Sequence, residues 1–250
     1  RTNWARTGGR RRSGRTTALP LTRTRLLHGV QNVTDRTSNP FGMSPPCEYD
    51  CAADGGRSAV FGYGDANADF HLVGDNPNAH GGGGTGIPFT DGVAGERLQP
   101  VLNEVGLLGD AYSDEPAVSN LFSSYLHMCC LPDDREPTDR EYAALEPFFD
   151  AELRAIAAHV LLPVGERATA HVLEEYTARA SALSRGMAAL HATELKGRGF
   201  LIVPIRDPRK WEADDGDALQ DELAAILAGD YRQTVDLGRF TATDEPYEVR

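Results

Sequence analysis

Four polar side chains, Asp75, Asn76, Asn78 and His80, crowd into one short stretch. It reads Gly74-Asp75-Asn76-Pro77-Asn78-Ala79-His80-Gly81-Gly82-Gly83-Gly84-Thr85-Gly86-Ile87-Pro88-Phe89-Thr90. A carboxylate such as Asp75 can take a proton from water as a general base, and it can equally cap a turn. The Asn76 carboxamide can accept a hydrogen bond from a water and so place it, although an amide is a poor base. Phe89 is the single aromatic residue of the stretch. It offers a flat π-face on which a planar ligand can stack, and it also reads as a core residue. A loop so rich in glycine is costly to order. A strand-like run, Ala68 to Val73, leads into it, and the carboxyl end of a strand is where an α/β sheet usually binds its ligand.

A second group lies near the other end of the chain, in Val203-Pro204-Ile205-Arg206-Asp207-Pro208-Arg209-Lys210-Trp211. Arg206, Arg209 and Lys210 can grip phosphate, and Trp211 can wedge or stack. The same residues also describe a basic surface turn with a half-buried tryptophan. The cysteines are Cys47, Cys51, Cys129 and Cys130. Four in a chain of this length do not make a disulfide framework, and their grouping indicates either buried thiols or a metal site.

The elements that must position these groups alternate from Ala59 onward, as in α/β proteins. Phe70, Leu72 and Val73 mark a first strand and Ala117–Met128 a second. The wholly apolar His159–Val164 is a third, and Phe200–Ile205 a fourth. Between them, Leu98, Val101, Leu102 and Val105 recur at helical spacing. Thr138 with Glu141 forms a capping box that opens a helix through about Ala158. Gly165–Tyr176 and Asp214–Ala228 read as further helices, and Met187–Leu190 as a short one. Four parallel strands joined by helices give a three-layer α/β/α sandwich with a central four-stranded parallel sheet. A Rossmann dinucleotide site is excluded by context: Gly62-Tyr63-Gly64 precedes the strand, and no Gly-Lys-Ser/Thr occurs.

Charge divides the chain. Residues 1–42 hold nine arginines and one acid, Asp35, and lack periodicity, so they are expected to be a disordered basic segment, in part non-native sequence. The remainder holds 16 basic and 36 acidic residues. That balance is unusual for a DNA binder and suits a halophilic protein, because the screening length falls to about 3 Å in molar salt. Residues 43–230 are expected to form the domain and 231–250 an acidic tail. No apolar run reaches the roughly 18 residues of a membrane helix, and no secretory signal is visible; the expectation is a soluble, cytoplasmic monomer.

The glycine-rich stretch resembles motif A of the uracil-DNA glycosylase superfamily. Gly74-Asp75-Asn76-Pro77-Asn78 is similar to the Gly-Glu-Ala-Pro-Gly of its iron–sulfur branch and to the Gly-Ile-Asn-Pro-Gly of its mismatch-specific branch. Ala79-His80-Gly81-Gly82-Gly83-Gly84-Thr85-Gly86, then Phe89-Thr90, resembles an archaeal-type Ala-His-Gly-Gly-Asn-Arg-Thr-Gly, then Phe-Thr. The resemblance covers roughly residues 43–228. It implies a DNA glycosylase of base excision repair that removes uracil or a related damaged base, with Asn76 and Asp75 catalytic. His80, Phe89 and Asp207 would bind the base, and Arg206, Arg209, Lys210 and Trp211 the DNA. Motif B departs from the family: Asp207 replaces a His or Asn, and Arg209 a Ser. The alternative is a non-catalytic relative that binds a nucleobase or nucleic acid without turnover. The resemblance also places ligands of a 4Fe–4S cluster at Cys47, Cys51 and Cys129. The fourth ligand position falls on Leu145, which cannot ligate, so an intact cubane cluster is not expected and the chemistry requires no cofactor.

Overall fold

The computed structural model describes residues 41–51, 57–197 and 199–232. The readings of residues 1–40 and 233–250 lie outside the described residues. The strands are β1 (Tyr63–Gly64), β2 (Phe70–Gly74), β3 (Leu121–Tyr125), β4 (Val160–Pro163), β5 (Leu195–Lys196) and β6 (Leu201–Ile202). The helices are α1 (Pro77–His80), α2 (Val93–Glu104), α3 (Asp139–Ile156), α4 (Gly165–Glu175), α5 (Met187–Leu190) and α6 (Asp215–Ala228). They form one six-stranded sheet in the order β1-β3-β2-β4-β6-β5.

The four strands expected from the apolar runs are its parallel centre: β3 pairs with β2, β2 with β4, and β4 with β6. The sheet is nevertheless wider than the four strands expected. The two-residue strands β1 and β5 add to its edges in antiparallel fashion.

Side-chain alternation along the strands builds the three layers. Phe70 and Leu72 of β2 face one way, with Val160 and Leu162 of β4, onto Leu98 and Leu102 of α2 and Leu219 and Leu223 of α6. Val73, Phe122 and Leu161 face the other way, onto Phe149 and Leu153 of α3 and Val172 and Leu173 of α4. Both faces of the sheet are thus covered, which is why β4 carries no polar residue. Past α6, Tyr231 packs edge-on against Phe70 at 5.3 Å, and its hydroxyl donates to Asp69 at 2.8 Å. Arg232 also donates to Asp69, so the residues just beyond position 230 dock on the start of β2. At the other end Phe41 contacts Phe122, with ring centroids 6.1 Å apart.

From β2 the chain passes to β3 on one side, and later from β4 to β6 on the other. The crevice between the carboxyl ends of β2 and β4 is therefore a topological switch point, the place where open α/β sheets bind ligands. Gly74–Asp75 lies on one side of it and Val164–Gly165 on the other.

Candidate active site

The loop after β2 is rigidly built. Gly74 has no room for a side chain, because a Cβ there would meet the Tyr125 ring at 2.5 Å. The Leu126 amide donates to Gly74 O at 3.0 Å and the His127 amide to Asp75 O at 2.9 Å. Asn76, with extended φ and ψ of −155° and 165°, is the N-cap of α1, and its Oδ1 accepts from the Ala79 amide at 2.9 Å. Gly81 and Gly82 both have φ of 89°, a conformation open to glycine. A Cβ on Gly81 would also strike Thr90 O at 2.0 Å. The Asp91 carboxylate clamps the glycine run, accepting from the amides of Gly82 at 2.5 Å and Gly84 at 2.6 Å. Asn78 donates to Leu131 O at 3.1 Å and ties the loop to the segment after Cys130.

Asp75 and His80 are joined by this turn: the Asp75 amide donates to His80 Nδ1 at 3.0 Å. In the neutral imidazole the proton then sits on Nε2, 3.9 Å from Asp207 Oδ1. Burial pushes His80 down to about 4, against the opposing pull of Asp207, so the ring is neutral at pH 7. Burial raises the Asp75 carboxyl above the usual aspartate range. The Tyr142 hydroxyl, the nearby Asn76 amide and the charges of Arg167 and Arg209 pull it back only in part. Asp75 does not cap α1; its carboxylate receives the Tyr142 hydroxyl instead.

The acceptor role expected of Asn76 does not match this geometry. Its oxygen is committed to Ala79, while Nδ2 is buried without a hydrogen-bond partner among the described residues. The free end of the amide is a donor. Phe89 is 3% exposed, stacks on His80 at 5.4 Å with planes 19° apart, and belongs to the main core. It presents almost no surface on which a base could stack.

The residues after β6 converge on the same crevice. Asp207 caps a short 3₁₀ turn, Pro208–Lys210, by accepting from the Arg209 amide at 3.0 Å. The Arg209 guanidinium holds both Asp207 oxygens, Nε donating to Oδ1 at 3.1 Å and an Nη to Oδ2 at 2.8 Å. Burial raises the Asp207 carboxyl, but these bonds outweigh it and hold the group below the usual carboxylate range. Arg206 is bound at 3.0 Å to both Glu212 and Asp215. Trp211 is half-buried, and its Nε1 donates to Arg206 O at 2.7 Å. Of the four residues expected to grip DNA, Lys210 is the most open, with 74% of its side chain exposed. Sequence reasoning missed Tyr142, Arg167 and Asp91. The capping box fixes Thr138 at the head of α3, but the helical pattern does not say that the next turn meets the glycine-rich loop.

Among the described residues no group of His, Cys, Asp and Glu is arranged to hold a metal ion. Cys47 is bonded to Cys129 and Cys51 to Cys130. Neighbours on an extended segment, Cys129 and Cys130 point to opposite sides. The first lies with Leu145 and Cys47 in a small apolar cluster, the second in the main core with Cys51. A cubane cluster needs four thiolates converging on one centre. Sulfurs held in two pairs in two clusters, with Leu145 2% exposed beside one pair, do not fit it. Cys47, Cys51 and Cys129 thus stand as disulfide partners, neither the buried thiols that their grouping allowed nor the metal ligands that the resemblance implied.

The family model of the uracil DNA glycosylase superfamily matches residues 61–228. The chain is 24% identical over 152 residues to the type-4 uracil-DNA glycosylase of Saccharolobus solfataricus, covering 61% of this chain and 66% of that one. It is 33% identical over 126 residues to the type-5 uracil-DNA glycosylase of Thermus thermophilus, covering 49% and 58%. To the type-5 enzyme of Pyrobaculum aerophilum it is 31% identical over 169 residues, covering 66% and 72%. It thus spans less than two thirds of the length of the Thermus relative and just under two thirds of the Saccharolobus one. With that match over the whole sheet and both loops of the crevice, the chain belongs to the uracil DNA glycosylase superfamily.

Proposed function

We propose that this chain is a DNA glycosylase that hydrolyses the N-glycosidic bond of uracil or a related damaged base, with Asp75 activating the water. The observation that carries this reading is the state of Asp75. It is a partly exposed carboxylate at the switch point, raised by burial and held in one orientation by the Tyr142 hydroxyl. A base near its operating pH is the more effective proton acceptor. The target nucleotide must first leave the helical stack. As the bond from C1′ to the base nitrogen breaks, the water oxygen bonds to C1′ and its proton passes to Asp75. The base departs as an anion and is later protonated by solvent. Two donors are at hand for that anion: Asn76 Nδ2, which lies toward Asp75 without a full hydrogen bond, and the Nε2–H of neutral His80. The Arg209 guanidinium neutralises Asp207, which would otherwise repel it.

A second reading, nucleobase binding without turnover, is favoured by the closed-in Phe89 and the carboxylate of Asp207. Single-turnover excision from uracil-containing oligonucleotides in molar salt separates the two. Wild-type release of free base, lowered on the order of 10²–10⁴-fold in Asp75→Asn, supports the glycosylase. Wild-type protein inactive on every deaminated base supports the binding protein.

A further inference from the structure

We propose that Tyr142 is a positioning residue for Asp75, held in place by Arg167. The phenol sits in the first turn of α3, where the Thr138–Glu141 capping box fixes the backbone and the Tyr142 amide donates to Thr138 O at 3.0 Å. From there its hydroxyl reaches across to Asp75 Oδ1. The Arg167 guanidinium of α4 lies 4.1 Å from the ring centroid, a cation–π contact. Arg167 is itself anchored to Asp139 at 2.7 Å. The edge contact with His127, at 5.7 Å between centroids, meets the ring at a second side. Two helices and the segment after β3 thus converge to aim one hydroxyl at one carboxylate.

A phenol donating to a carboxylate fixes its rotamer and stabilises its ionised form. The bond engages Oδ1, so in the proposed role Oδ2 is the oxygen that takes the water. The other groups facing Asp75 are the His80 ring, through the Asp75 amide, the Asn76 carboxamide, and Arg209. His80 is neutral, so the charged neighbours are Arg167 on the Tyr142 side and Arg209 on the Asp207 side. The proposal rests on the reading of Asp75 as the water-activating group, and it accounts for how a partly exposed carboxylate keeps one orientation.

The test follows the Asp75 carboxyl carbon by NMR titration of the full chain, assigned with Asp75→Asn, in wild type, Tyr142→Phe and Arg167→Gln. Tyr142→Phe should move the Asp75 midpoint up by about one pH unit, and Arg167→Gln should move it the same way by less. In single-turnover excision the acid limb should move with it, and the plateau should fall about tenfold as orientation is lost. An Asp75 midpoint unchanged in Tyr142→Phe overturns the proposal; should that variant not fold, an unchanged midpoint in Arg167→Gln does so. A shifted midpoint in a wild type and variants that release no base upholds the positioning and sinks the glycosylase reading instead.

Discussion

Glu152 of α3 is 1% exposed, and neither of its carboxyl oxygens has a hydrogen-bond partner among the described residues. It lies against Gly62, where a Cβ would meet Oε1 at 2.1 Å. Burial pushes its carboxyl up to about 8, so it is protonated at neutral pH. The unfolded chain releases that proton near the ordinary glutamate value, and the folded chain holds it. Stability should therefore fall as pH rises from about 4.5 toward 8. Glu152→Gln should remove this slope and stabilise the fold at pH 7–8 by roughly 1–3 kcal/mol. Thermal melts between pH 4 and 9 check it; a variant with the wild-type slope would refute the assignment. Asn76→Ala should cost about 0.5–2 kcal/mol as a lost cap, besides removing the buried donor, and a chemical-denaturation midpoint equal to wild type would contradict the capping role. Asn76 was legible as a candidate from its type and spacing. Which end of its amide stays free was not, because that depends on a helix of four residues, Pro77–His80, too short to show a period.

At the scale of elements, the parallel centre of the sheet could be read directly, since buried strands such as β4 are continuous apolar runs. The edges could not: β1 and β5 have two residues each, and two residues carry no alternation. The glycine-rich loop was legible as a candidate site at the end of a strand, but the residue that orders it was not. Asp91 follows the motif, and its part becomes visible only when the chain folds back to bring two glycine amides onto its carboxylate. Asp91→Ala should leave those amides unpaired. Hydrogen exchange across residues 81–90 should then quicken at least tenfold, and on the proposed glycosylase reading base excision should fall with it. Exchange as slow as in the wild type would show that the loop holds itself.

For the whole molecule, two covalent links join the segment around Cys47 and Cys51 to the residues after β3, across separations of 82 and 79 residues. Losing a native disulfide typically costs about 2–5 kcal/mol. Reductant should therefore lower the melting temperature, and Cys51→Ser with Cys130→Ser should reproduce part of the fall. A melt unmoved by reductant, or four irons per chain in protein purified without oxygen, would refute the pairing. The net charge of −12 leads to the expectation that stability rises with salt as self-repulsion is screened; melts at low and molar salt decide it.

The way the arginines are spent has a further consequence, for encounter. Among the described residues, Arg206, Arg209, Arg135 and Arg167 all face carboxylates of the same chain, so these four side chains have little positive charge to spare for displacing counterions from a duplex. A protein that binds DNA through free lysines and arginines loses affinity steeply as salt is added. Here two polyanions approach each other, and added salt weakens their repulsion before it weakens any attraction. The rate of association with DNA should be flat or rising over the range of ionic strength in which that of a basic DNA-binding protein collapses. On the proposed reading of DNA as the substrate, the search for it would then run fastest in brine.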